Sequence, residues 1–182
     1  MSILDEINKR VADGSLSILG PAQGDPFKRT LALTPGLVGL LTGPWPDLII
    51  ERRCGKLRAD LEYFVKGEPI AMSLTPYEHK TAFMGRLDKP QDEVWDIRSR
   101  DPDPGLRVFG RYAALDVFVA MICAPRSVEQ AWLQRRALKE GTSLEWHFAI
   151  LECQEIWKSL FPNHEPIHGD APSDYATNAF LV

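Results

Sequence analysis

The chain has 182 residues, room for one well-buried domain with extensions or two small domains at the limit. With 45% hydrophobic and 25% charged residues it has the make-up of an ordinary globular protein, which excludes wholesale disorder and fibrous repeats. The net charge of −4 hides an uneven spread, because residues 98–139 carry a surplus of four positive charges and residues 140–182 a surplus of six negative ones. An acidic chain repels nucleic acid at long range, so only that middle stretch can supply a basic face. No run of about 18 apolar residues occurs and no basic-then-apolar leader opens the chain, so neither a membrane span nor a secretory signal is expected. Cys54, Cys123 and Cys153 are odd in number and widely spaced, which reads as buried reduced thiols in a cytoplasmic protein.

In chain order, Ile3, Leu4, Ile7 and Val11 recur at helical spacing and Asp13-Gly14 supplies a stop, predicting a short amphipathic helix over residues 3–12. From Gly20 to Asp47, repeated Pro and Gly pairs such as Gly20-Pro21, Pro35-Gly36 and Gly43-Pro44 predict an irregular arm with one apolar piece, Leu37 to Leu41. Leu57, Leu61, Phe64 and Val65 then fall in helical register until Lys66-Gly67 ends the segment, while Leu48-Ile49-Ile50 reads equally as a brief strand. Pro69 to Leu74 reads as a short strand, and Thr75 to Glu78 as a turn or short helix.

The pattern then changes period. Val94, Asp96 and Arg98 alternate with Trp95, Ile97 and Ser99; Leu106, Val108 and Gly110 alternate with Arg107, Phe109 and Arg111; and Val117 to Cys123 is nearly continuous apolar sequence. Three strands joined by short turns predict an antiparallel meander. Glu129 to Leu138 predicts a helix, and Ser143 caps another that runs to Pro162. The expected fold is α+β, a small antiparallel sheet of three to four strands with helices packed on it. The expected organisation is an N-terminal helix and arm over 1–47, a core over 48–161, and an acidic tail over 162–182 that wraps the core or stays mobile.

Arg86-Leu87, Glu93-Val94-Trp95-Asp96-Ile97-Arg98, Leu106-Arg107-Val108-Phe109 and Val117-Phe118-Val119-Ala120 together resemble the sheet core of RelE/HigB/ParE-type toxins, over roughly residues 86–123. The resemblance implies helices on one face of a compact sheet and a basic groove on the other. It implies a toxin-antitoxin protein of a mobile element that binds RNA at the ribosome as a messenger ribonuclease, with an antitoxin-like protein as a further partner. Under it, Arg98, Arg107 and Arg111 are the catalytic cations and Tyr112 or His79 the proton carrier. Lys80, Arg100, Phe109 and Arg126 would contact the nucleic acid, with Phe109 stacking a base. Attack of a 2′-hydroxyl on phosphate gathers negative charge in the transition state, which bidentate guanidinium groups stabilise. The residues themselves admit a second reading, in which Arg98 and Arg107 pair with Asp96, Asp101 or Asp103 and simply hold a sheet that serves as a non-catalytic interaction module.

Other chemistry finds little footing. His164 and His168 are four apart near carboxylates, but Pro166 and Gly169 disfavour the helix a metal clamp needs. His147 and Cys153 are six apart and fall on different helix faces, against a nucleophile pair. Phosphate-loop, dinucleotide, nucleophile-elbow and zincin motifs are all missing from the chain, so no cofactor and no metal is expected. Trp132, Trp146 and Trp157 in the last third read as core or partner contacts.

Overall fold

The computed structural model describes residues 1–76, 78, 79, 81–125 and 147–182. Helix α1 (Ile3–Ala12) starts where Ser2 and Asp5 form a reciprocal cap, the Ser2 hydroxyl accepting from the Asp5 amide and the Asp5 carboxylate from the Ser2 amide. After β1 (Ser17–Ile18) and β2 (Thr30–Leu33) comes α2 (Pro35–Thr42), with Pro at its first turn where no amide partner is lost. Helix α3 (Leu48–Val65) follows, its first amides accepted by the Asp47 carboxylate. Strands β3 (Ile70–Ser73), β4 (Met84–Arg86), β5 (Trp95–Ser99), β6 (Leu106–Ala114) and β7 (Val117–Pro125) lead to α4 (His147–Leu160) and finally β8 (Ala179–Leu181).

Among the described residues, eight strands form one mixed sheet in the order β1-β2-β7-β6-β5-β4-β3-β8. This corrects the expectation of a small antiparallel sheet of three to four strands. Strands β4 to β7 do pair antiparallel in sequence order, yet β2 joins β7 in parallel, and β3 joins both β4 and β8 in parallel. Alternation along a strand reports its own faces but not partners that arrive over long crossovers. In addition, Thr30–Leu33, buried at Leu31, Ala32 and Leu33, has no period of two to read. The arm expected over 20–47 therefore holds a strand and a helix. Leu31, Leu33, Leu37 and Leu41 sit in the core, and burial outweighs the weak helix propensity of Gly36 and Gly39.

The sheet is covered on both faces. On one, α2 and α3 bury Leu37, Leu41, Leu57, Leu61 and Phe64 against Trp95, Ile97, Val108, Tyr112 and Phe118, each large side chain contributing about 1.5–3 kcal/mol. On the other, α1 and α4 bury Ile7, Ile150, Cys153 and Trp157 against Phe109, Val119 and Met121. Arg10 of α1 donates to the Leu160 carbonyl at 3.0 Å, joining the two helices end to end. At Gly110 a Cβ would lie 2.1 Å from the Val119 carbonyl oxygen, so only glycine passes at this shift of the β6–β7 register. The helix expected over 129–138 and the start expected at Ser143 lie outside the described residues.

The acidic C-terminal segment is an extended wrap. It leaves α4 on the second face, the Ile167 amide donates to the Tyr112 carbonyl, and Tyr175 enters the first-face core before β8 closes the sheet edge. Among the described residues no helix is long and apolar enough to cross a membrane.

Candidate functional site

Alternation along β5 sends Trp95 and Ile97 into the α3 side of the sheet, and Asp96 and Arg98 to the other. The register sets Arg98 directly opposite Arg107 on β6, a like-charge pair that is unfavourable unless neutralised. Asp96 neutralises it. Arg98 Nε donates to both carboxylate oxygens at 3.0 and 3.2 Å, and Arg107 Nη1 donates to Oδ2. The Asp96 side chain is fully buried, and those of Arg98 and Arg107 are 5% and 13% exposed. Burial holds Arg98 below the usual guanidinium range, opposed by Asp96 and reinforced by Arg107.

The loop before β4 closes over this triad. Arg98 Nη1 donates to the His79 carbonyl at 2.7 Å and Arg100 Nη2 to the Ala82 carbonyl at 2.6 Å. The Arg98 guanidinium lies over Gly85, where a Cβ would stand 2.0 Å from Nη2. Arg98, Arg107, Arg100 and His79, four of the residues singled out in the sequence, are thus brought together. The His79 imidazole itself is half-exposed and faces Glu78 at 4.0 Å.

The remaining predicted residues are not brought there. Arg111 is buried on the same face but further along, donating to the Asp92 carbonyl and lying 5.6 Å from the Trp157 ring centroid. Burial again lowers its pKa. Phe109 is fully buried beneath the helices of that face, which leaves no surface for a base to stack on. Tyr112 points into the opposite core, its hydroxyl donating to Met84 Sδ at 3.2 Å and its ring among Trp95, Phe118 and Tyr175. Burial raises its pKa far above the ordinary phenol range, so it is placed neither to reach the arginines nor to exchange a proton with them. Lys80 and Arg126 lie outside the described residues.

A second polar cluster was not anticipated as a unit. Glu93, almost fully buried, adopts φ +49° after the turn of Pro90–Asp92, a conformation that costs a side-chain-bearing residue about 1–2 kcal/mol. Its carboxylate accepts from Arg86 Nη1 at 3.1 Å, Trp95 Nε1 at 3.0 Å and the Tyr175 hydroxyl at 2.9 Å. The largely exposed His168 places Nδ1 3.3 Å from the same group. The partners are up to 82 residues apart, and neither periodicity nor motif spacing links them. Among the described residues no group of three or more His, Cys, Asp or Glu side chains is placed to hold a metal ion. His147 is exposed while Cys153 is fully buried, and burial pushes that thiol far up, so the two do not form a nucleophile pair.

The described side chains thus offer a buried ion triad and a carboxylate-centred hydrogen-bond cluster, both internal to the fold. Compared with known proteins, the chain matches no family model, no curated protein and no solved structure.

Proposed function

We propose that this chain is a non-catalytic, cytoplasmic protein-interaction module, built on a sheet that resembles that of the RelE/HigB/ParE-type toxins. The observation that carries this reading is the convergence of Arg98 and Arg107 on the buried Asp96 carboxylate. A guanidinium group that stabilises a phosphate transition state has to be open to substrate, and an Asp–Arg–Arg triad out of water is expensive to open. Arg111, bound to a carbonyl and an indole, is equally committed to the fold. An interaction role is further supported by apolar side chains left at the surface. Phe148 and Leu151 on α4 and Phe180 and Leu181 on the edge strand β8 are all exposed.

A second reading, ribosome-dependent cleavage of messenger RNA, is favoured by one observation. Arg98 and Arg107 lie side by side on the sheet face opposite α2 and α3, although that face also carries α1 and α4 where the resemblance implies an open basic groove. One experiment separates the two. A translation reaction programmed with a defined message is run with the native chain and with Arg107→Ala, and the message is mapped for new 5′ ends. The module reading expects no new ends with either protein and a lower melting temperature for the variant. Ribosome-dependent cuts by the native chain that vanish with Arg107→Ala would overturn it and establish the nuclease.

A further inference from the structure

We infer that the β3 edge and the pocket around Glu93 form a docking site for an extended, tyrosine-anchored strand, one that takes the C-terminal segment of a second copy of this chain. This rests on the interaction-module reading and names its partner. In the structure the site is filled by the chain's own residues 175–181, whose contacts define what it recognises.

The anchor is Tyr175. Its ring is fully buried, with ring centroids 4.6 Å from Trp95 and 5.3 Å from Tyr112. Its hydroxyl donates toward Glu93, accepts from the Gly169 amide at 2.7 Å and lies 3.3 Å from Arg86 Nη1. Apart from Gly169, these contacts come from residues that precede residue 162, so the pocket belongs to the body and the tyrosine behaves as its ligand. The backbone-strained Glu93 is the polar end of that pocket.

Beyond the anchor the segment is read as an extended peptide. The Thr177 amide and hydroxyl donate to the Asp116 carboxylate at 2.8 and 2.9 Å, and Arg29 donates to the Thr177 carbonyl. Asn178 donates to the Gly67 carbonyl at 3.1 Å. The Ile70 amide then donates to the Asn178 carbonyl, and the Val182 amide to the Met72 carbonyl, in a parallel ladder. This is β-strand addition with one side-chain pocket. By contrast, Phe180 and Leu181 remain 49% and 61% exposed, so β8 adds little core while β3, with Ile70 and Met72 buried, adds much. Residues 175–182 also carry no charge and lack the guarding residues that natural edges use against pairing. A second copy presents the same segment, so exchange between copies replaces each contact with its equal.

The test uses full-length Tyr175→Ala, which empties the pocket in cis, and a labelled synthetic peptide of residues 163–182. The expected result is saturable binding, at least tenfold weaker both for a peptide carrying the same Tyr→Ala change and for the native chain, whose site is already occupied. Equal binding of the two peptides, or none by a variant whose β6 and β7 amides remain protected from exchange, would overturn the inference. Should Tyr175→Ala not fold, Tyr175→Phe keeps the ring and removes the hydroxyl. Amide exchange over residues 175–182 is then expected to accelerate at least tenfold with β6 and β7 unchanged, and an unchanged rate over 175–182 sinks the idea. Message cleavage by the native chain would remove the module reading without bearing on whether this peptide binds.

Discussion

Single residues in this protein are decided by what stands next to them across the sheet. Asp96 separates two arginines that the register forces together. Asp96→Ala leaves the buried Arg98 guanidinium without its carboxylate and takes the same carboxylate from Arg107, and should cost about 3–5 kcal/mol, read as a fall in the urea midpoint. A loss below about 1 kcal/mol would show that the triad does not hold β5 to β6. Glycines give a paired comparison. Gly85→Ala drives a methyl into Arg98 and should lower the melting temperature by several degrees. Gly55→Ala on the exposed side of α3, where a Cβ meets nothing within 4 Å, should raise stability by about 0.5–1 kcal/mol. Thermal unfolding of the two variants beside the native chain checks both signs, and equal shifts would contradict the packing described at Gly85.

Elements are decided by the face they bury. Helix α4 is attached through Trp157, whose indole donates to the His164 carbonyl at 2.7 Å, packs 4.8 Å from Phe161 and lies over Arg111. Trp157→Ala removes that packing and leaves a cavity beneath the helix, a loss of about 3–5 kcal/mol. Amide exchange should localise the effect to α4 and α1, and an effect spread evenly over β3 to β5 would contradict it. Helices α1 and α3 were legible because each is long enough to show an apolar stripe, with Ile7 and Val11 in one and Leu57, Leu61 and Phe64 in the other. Helix α2 was not, since eight residues opening on Pro-Gly look like a turn until Leu37 and Leu41 find the sheet.

At the scale of the whole molecule, burial of titratable groups ties stability to alkaline pH. Burial pushes the Cys123 thiol from its ordinary 9.0 up to about 12, and raises Cys54 and Cys153 as well. Tyr112 is raised chiefly by burial, with Arg29 opposing and Asp116 adding to the shift, and Tyr175 first by burial and then by its contact with Glu93. Each is a neutral acid whose proton the folded state holds more tightly than the unfolded state does. The stability they confer is therefore complete below the unfolded values, and falls once the unfolded thiols and phenols begin to lose protons. Urea midpoints should be level from pH 7 to 8 and decline progressively above about pH 9. The same burial predicts that Cys54 and Cys153 do not react promptly with a disulfide reagent in the native protein at pH 8, while all three thiols react in denaturant. A flat profile to pH 11, or a fast-reacting native Cys54 or Cys153, would contradict these environments. By itself the sequence determined where the chain alternates, turns and coils, because period, capping and punctuation act over a few neighbouring residues. It thus marked β5, β6 and β7, α1 and α3, and the arginines on their strands. Only the tertiary structure decided that eight strands share one mixed sheet, that Arg111 and Tyr112, one position apart, serve opposite cores, and that Tyr175 reaches Glu93. Parallel pairing and buried polar partnership join residues tens of positions apart, and the free energy that selects them is burial of surface, which no local pattern encodes.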